Sequence, residues 1–66
     1  MNMKLANLLL VTSDEIFGKI YYKQDEIYEG FLQDAFDLLG EDDVWVLNQE
    51  VFHIELISDE LHIYTR

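Results

Sequence analysis

With no cysteine in the chain, metal or acid–base chemistry would fall first to its imidazoles and carboxylates. His53 and His62 bracket Glu55 in a stretch of alternating apolar residues, and two imidazoles with a carboxylate form a ligand set for zinc or non-haem iron. The spacing is loose for a dedicated site, and nothing nearby is placed to hold each ring's other nitrogen. Cross-strand His–Glu pairs are ordinary surface hydrogen bonds, so no metal is expected. The run Glu41-Asp42-Asp43 has the charge for calcium. It lacks the alternating acids, central glycine and closing glutamate of an EF-hand loop, and reads as a solvated connection. Ser13 and Ser58 fall in expected turns, neither histidine is paired with them by sequence, and no glycine-rich loop cradles phosphate. The paired carboxylates lie on expected convex surfaces, where nothing raises a pKa for acid–base work. The expectation is a protein that is not an enzyme and needs no cofactor.

The layout of charge says more than any single residue. The chain has 66 residues and a formal charge of −10. Residues 1–23 hold Lys4, Lys19 and Lys23 against Asp14 and Glu15, a balance of +1. Residues 24–65 contain no Lys or Arg and twelve carboxylates, hence −12. Direct nucleic-acid binding is excluded as an expectation, since each phosphate contact needs a cation and only Arg66 adds to the three lysines. The longest apolar run, Leu8 to Val11, is four residues, far short of the ~20 that span a bilayer. The start has one basic residue, a polar Asn7 and no small-residue cleavage site, so no signal peptide is expected and the expected compartment is the cytoplasm.

These residues need elements to position them. Residues 1–66 are expected to form a single domain, since the length allows one core and no linker, repeat or low-complexity tract interrupts it. Asp25 to Leu39 predicts a helix: Ile27, Tyr28, Phe31, Leu32, Ala35, Phe36, Leu38 and Leu39 share one half of its wheel, and Glu26, Glu29, Asp34 and Asp37 the other. Asp25 is the expected N-cap and Gly40 the glycine that stops the helix. The last third alternates, and a tight turn at Ser58-Asp59 places Leu56 opposite Leu61 and Ile54 opposite Ile63. A second turn near Asn48-Gln49-Glu50 adds Trp45 and Leu47, predicting a three-stranded antiparallel meander. Its second side carries Val44, Val46, Val51, His53, Glu55, Ile57, Glu60, His62 and Tyr64. The first 23 residues read as a hairpin, Met3 to Val11 and Ile16 to Tyr22, turning at Thr12-Ser13-Asp14-Glu15. Thr12 with Glu15 also fits a helical capping box. The expected fold class is α+β in the order ββαβββ, an antiparallel sheet with one amphipathic helix on one face; the alternative is N-terminal helices before the meander. Trp45, Phe52, Phe31 and Phe36 are expected in the core. Tyr21, Tyr22, Tyr28 and Tyr64 exceed what so small a core requires and are expected in part at an interface rim.

The functional expectation follows from charge. Glu26, Glu29, Asp34 and Asp37, continued by Glu41, Asp42 and Asp43, form the expected partner-binding face. Rows of carboxylates repeat negative charge at spacings like those of a nucleic-acid backbone, so the expected partner is a basic, nucleic-acid-binding protein or nuclease. The class would be a DNA-mimic inhibitor: a phage anti-restriction or anti-CRISPR protein, or an immunity protein or antitoxin. The alternative is a small structural or assembly subunit acting through homodimerisation, which would enlarge a core that is marginal at this length.

Overall fold

The computed structural model describes residues 3–12 and 15–66. The chain forms a small α+β domain of two layers, a five-stranded sheet with helices on one side. In order the elements are β1 (Met3–Lys4), α1 (Leu5–Val11), β2 (Phe17–Tyr22), β3 (Asp25–Phe31), α2 (Leu32–Asp42), a 3-10 helix (Val44–Asn48), β4 (Glu50–Ile57) and β5 (Glu60–Thr65). The sheet runs β1-β4-β5-β2-β3, all pairs antiparallel except β2 with β5, which is parallel. Among the described residues no helix is long and apolar enough to cross a membrane.

The β4–β5 hairpin has the expected register: Leu56 pairs with Leu61 and Ile54 with Ile63. Its turn residues Ser58 and Asp59 both have positive φ, 50° and 67°, the pattern of a type I′ turn whose twist suits a two-residue hairpin. Lys23 and Gln24, at φ 49° and 75°, make the same kind of turn between β2 and β3.

Four expectations are corrected by packing. Residues 25–31 are not the first half of a helix but the strand β3, with Asp25 paired to Tyr22 instead of serving as an N-cap. Ile27, Tyr28 and Phe31 suit a strand as well as a helix, and β2 offers this stretch partners from Asp25 to Phe31, with Ile27 alone left out at a bulge. The helix keeps only the residues with an unbroken i, i+3, i+4, i+7 pattern, Leu32, Ala35, Phe36 and Leu39, and runs through Gly40 to Asp42. Its start has no side-chain cap; the Leu32 N–H donates instead to the Ile16 carbonyl at 2.8 Å.

Residues 5–11 are helical, not a strand, because Leu5 and Leu9 lie one turn apart and both are buried. Leu and Ala are also strong helix formers. Part of the expected turn at 12–15, Ser13 and Asp14, lies outside the described residues. Third, Trp45 and Leu47 belong to the 3-10 helix, so the meander has two strands, and β5 takes β2 as its other neighbour. Adjacent Val46 and Leu47 are both buried, which an alternating strand on a one-sided sheet would not allow. The order is therefore βαββαββ with a mixed sheet. Fourth, the large aromatics are not the core: Phe31, Trp45 and Phe52 are each 46% exposed. The core is aliphatic, built from Leu5, Leu9, Ile20, Leu32, Ala35, Leu39, Val46, Leu47, Val51 and Ile63, with Phe36 packed against it.

Gly18 is fixed by this packing. A Cβ there would collide with the Leu61 carbonyl oxygen and meet Leu32 Cδ1 at 3.4 Å, where β2, β5 and α2 come together.

Candidate interaction surfaces

The helix α2 carries a charged pole opposite its buried stripe. At 100° per residue Asp34, Asp37 and Glu41 fall within a sector about 60° wide, pointing away from Leu32, Ala35 and Leu39. At 1.5 Å rise per residue the three span about 10 Å along the axis. Asp42 ends the helix and Asp43 follows as its C-cap, with its N–H donating to the Leu39 carbonyl at 2.8 Å. Asp34 in the first turn suits the helix dipole; Glu41, Asp42 and Asp43 sit at the end that prefers cations, and the last turn has no basic residue. None of these five carboxylates has an ion-pair partner among the described residues.

Glu26 and Glu29 are not on this helix. They lie on β3 and face Lys19, whose Nζ is 3.6 Å from Glu26 and 3.5 Å from Glu29. Glu26, and after it Glu29, hold the lysine's pKa above its ordinary value. Of the seven expected binding residues, the fold thus gathers Asp34, Asp37, Glu41, Asp42 and Asp43 and sets Glu26 and Glu29 apart. Tyr28, which pairs with Ile20 on the helix side of the sheet, has its pKa raised by burial first and by Asp34 second. Its hydroxyl donates to the Phe31 carbonyl at 2.6 Å, over Gly30.

Among the described residues no helix covers the other side of the sheet. Ile20, Val51 and Ile63 turn toward the core, so their alternating neighbours face out: Phe17, Lys19 and Tyr21 on β2, Glu60, His62 and Tyr64 on β5, and His53, Glu55 and Ile57 on β4. Tyr21 and Tyr64 are cross-strand partners and stack at 4.7 Å between ring centroids, 9° from parallel. Phe52 is the extra residue of a β4 bulge and tilts against Tyr64 at 6.5 Å. Phe17 and Phe31 form a T-shaped pair at 5.5 Å on β2 and β3. Burial, and then the neighbouring Glu55, keeps the Tyr64 hydroxyl protonated above its usual pKa.

The β4 and β5 members of this face were legible as the second side of the meander; Lys19 and Tyr21 were not, because the parallel β2–β5 pairing leaves no local signal. The histidines share the face but do not converge. His53 Nε2 lies 3.9 Å from Glu55, and His62 Nε2 lies 3.8 Å from Glu60 while its Nδ1 is 2.9 Å from the Tyr21 hydroxyl. Among the described residues no group of three or more His, Asp or Glu is arranged to hold a metal, and no pocket opens. No protein family matches this chain, and neither does any curated protein or solved structure.

Proposed function

We propose that this protein acts by occupancy, docking the acidic pole of α2 on a basic, nucleic-acid-binding surface of a partner protein in the cytoplasm. It uses no cofactor and catalyses nothing. The observation that carries the reading is the contrast in pairing. Lys19 is engaged by Glu26 and Glu29, and Arg66 by Glu50 at 3.2 Å, while Asp34, Asp37, Glu41, Asp42 and Asp43 remain without a counter-charge among the described residues. Like charges one turn apart on a helix cost about 0.2–0.5 kcal/mol per pair, and any lysine there would relieve them. Rows of carboxylates on a rigid helix attract the Arg and Lys that otherwise hold phosphates, and steer encounter from a distance. The class is that of DNA-mimic inhibitors, which includes phage anti-restriction and anti-CRISPR proteins and nuclease antitoxins.

The experiment is affinity capture with and without competing duplex DNA, comparing the natural chain with an Asp34→Lys, Asp37→Lys, Glu41→Lys variant whose circular dichroism and melting confirm its fold. Nucleic-acid-binding proteins retained by the first, released by DNA and lost by the second, support the reading. Retention that survives both the reversal and the DNA sinks it.

A second reading, an assembly subunit acting as a homodimer, draws on the apolar residues left exposed in the helical layer: Leu10 at 69%, Val11 at 73% and Leu38 at 51%. Sedimentation equilibrium separates the two. A dimer dissociated by Leu10→Ser and Val11→Ser supports the second reading, and a monomer at high concentration removes it.

A further inference from the structure

We propose that the uncovered face of the sheet is a second docking surface, one that receives arginine side chains of a basic protein partner. It stands independently of the α2 reading, since α2 packs on the opposite side of the sheet. The components are in place across three strands: the rings of Phe52, Tyr64, Tyr21 and His62 form a row, Glu55 pairs with His62 beside it, and Glu60 lies two residues from His62 along β5. Each of these two carboxylates has a histidine ring nitrogen beside it, at 3.9 and 3.8 Å, and no lysine or arginine is paired to either among the described residues.

The chain itself displays the mode of recognition at one end of the row. The Arg66 guanidinium lies 5.0 Å from the Phe52 ring centre while its Nε is 3.2 Å from Glu50 Oε1. A flat cation is thus held between an aromatic face and a carboxylate. Tyr64 with Glu55 repeats those parts at the middle of the face, with the cation left for a partner to supply. Arginine fits better than lysine, because its planar guanidinium stacks on rings and bonds a carboxylate through two N–H groups, and it surrenders hydration more readily. A single-stranded nucleic acid could use the rings, but its phosphates would meet Glu55 and Glu60. A second copy of this chain would bring the same carboxylates against each other at −10 per chain.

The probes are hexa-arginine and hexa-lysine peptides of equal length and charge, titrated into labelled protein and followed by NMR. The arginine peptide is expected to bind about threefold to tenfold more tightly than the lysine peptide and to move the ring resonances of Phe52, Tyr64 and Tyr21. The Glu55→Gln, Glu60→Gln variant, altered only at surface carboxylates, should lose that preference. An Asp34→Asn, Asp37→Asn, Glu41→Gln variant should bind both peptides more weakly and keep the preference, which separates this proposal from the α2 reading. Equal affinity for the two peptides, shifts centred on α2, or a preference that disappears with the α2 variant would overturn it.

Discussion

The two faces of the sheet solve different problems with different residues. The helix-covered face is aliphatic and fully buried: Ile20, Val51 and Ile63 meet Leu5, Leu32 and Ala35 with none of the six exposed. The open face is aromatic, hydroxylated and charged, and its cohesion is lateral, from Tyr21 on Tyr64 and from the Tyr21 hydroxyl to His62. Removing water from apolar area requires a cover, so the first face holds the fold together. Rings and hydroxyls that bond one another within a layer need no cover, and the second face keeps its chemistry available. Acid is divided in the same way: Glu26 and Glu29 of β3 are paired with Lys19 on the open side, and α2 acids project from the covered side with no ion-pair partner among the described residues.

The largest effects should come from the covered face. Leu32→Ala and Ile63→Ala each delete a side chain with no solvent exposure and are expected to cost about 2–5 kcal/mol. For a domain with total stability on the order of 5 kcal/mol, either leaves a substantial unfolded fraction, visible in circular dichroism at room temperature. A melt that hardly moves would break the contrast between the faces.

On the open side, Tyr21→Leu keeps bulk but loses the stack on Tyr64 and the bond to His62. The urea midpoint should fall by the equivalent of about 1 kcal/mol, clearly less than for the core changes. A loss as large as that of Ile63→Ala would mean that the open face is a second core. The hairpin tip belongs to neither layer, and Ser58→Asn with Asp59→Gly relieves two non-glycine residues at positive φ. A gain of up to about 1 kcal/mol is expected, with both faces unchanged.

The smallest response expected is to alkali, and it samples both sides at once. Tyr28 on the covered side and Tyr64 on the open side have raised pKa values, each chiefly through burial, and Lys19 is raised by Glu26 and Glu29. In all three the folded state holds its proton more tightly than the unfolded chain does. Their stabilisation is therefore complete below the unfolded values of 10.0 and 10.5 and is lost as pH rises through the folded ones. Melting temperature should be insensitive to these groups near neutrality and decline above about pH 10, and tyrosine ring NMR shifts should show Tyr28 and Tyr64 ionising late. Ionisation of both at or below the ordinary value would remove the burial that defines them.

The pattern of legibility has a physical cause. Alternation from Phe52 to Ile63 and a two-residue turn at Ser58-Asp59 were enough to place Leu56 on Leu61 and Ile54 on Ile63, because a hairpin's register depends on contacts a few residues apart. The acidic run Asp34 to Asp43 was equally visible, since charge and helical spacing are local. By contrast, Asp25 to Phe31 carries apolar residues that satisfy both periods, and the choice fell to β2, which pairs with it in space. That choice moved Glu26 and Glu29 from a helix to an edge strand beside Lys19.

What the sequence determined by itself is the charge budget, the one-sided α+β architecture and the β4–β5 hairpin, all of which rest on composition or neighbours in the chain. What only the tertiary structure decided is the mixed sheet, in which Tyr21 meets Tyr64 across some forty intervening residues. Pairing at that separation leaves no periodicity in the sequence. It is selected because the parallel β2–β5 contact buries Ile20 with Ile63 on one face, and the aromatic row on the other follows from the same register.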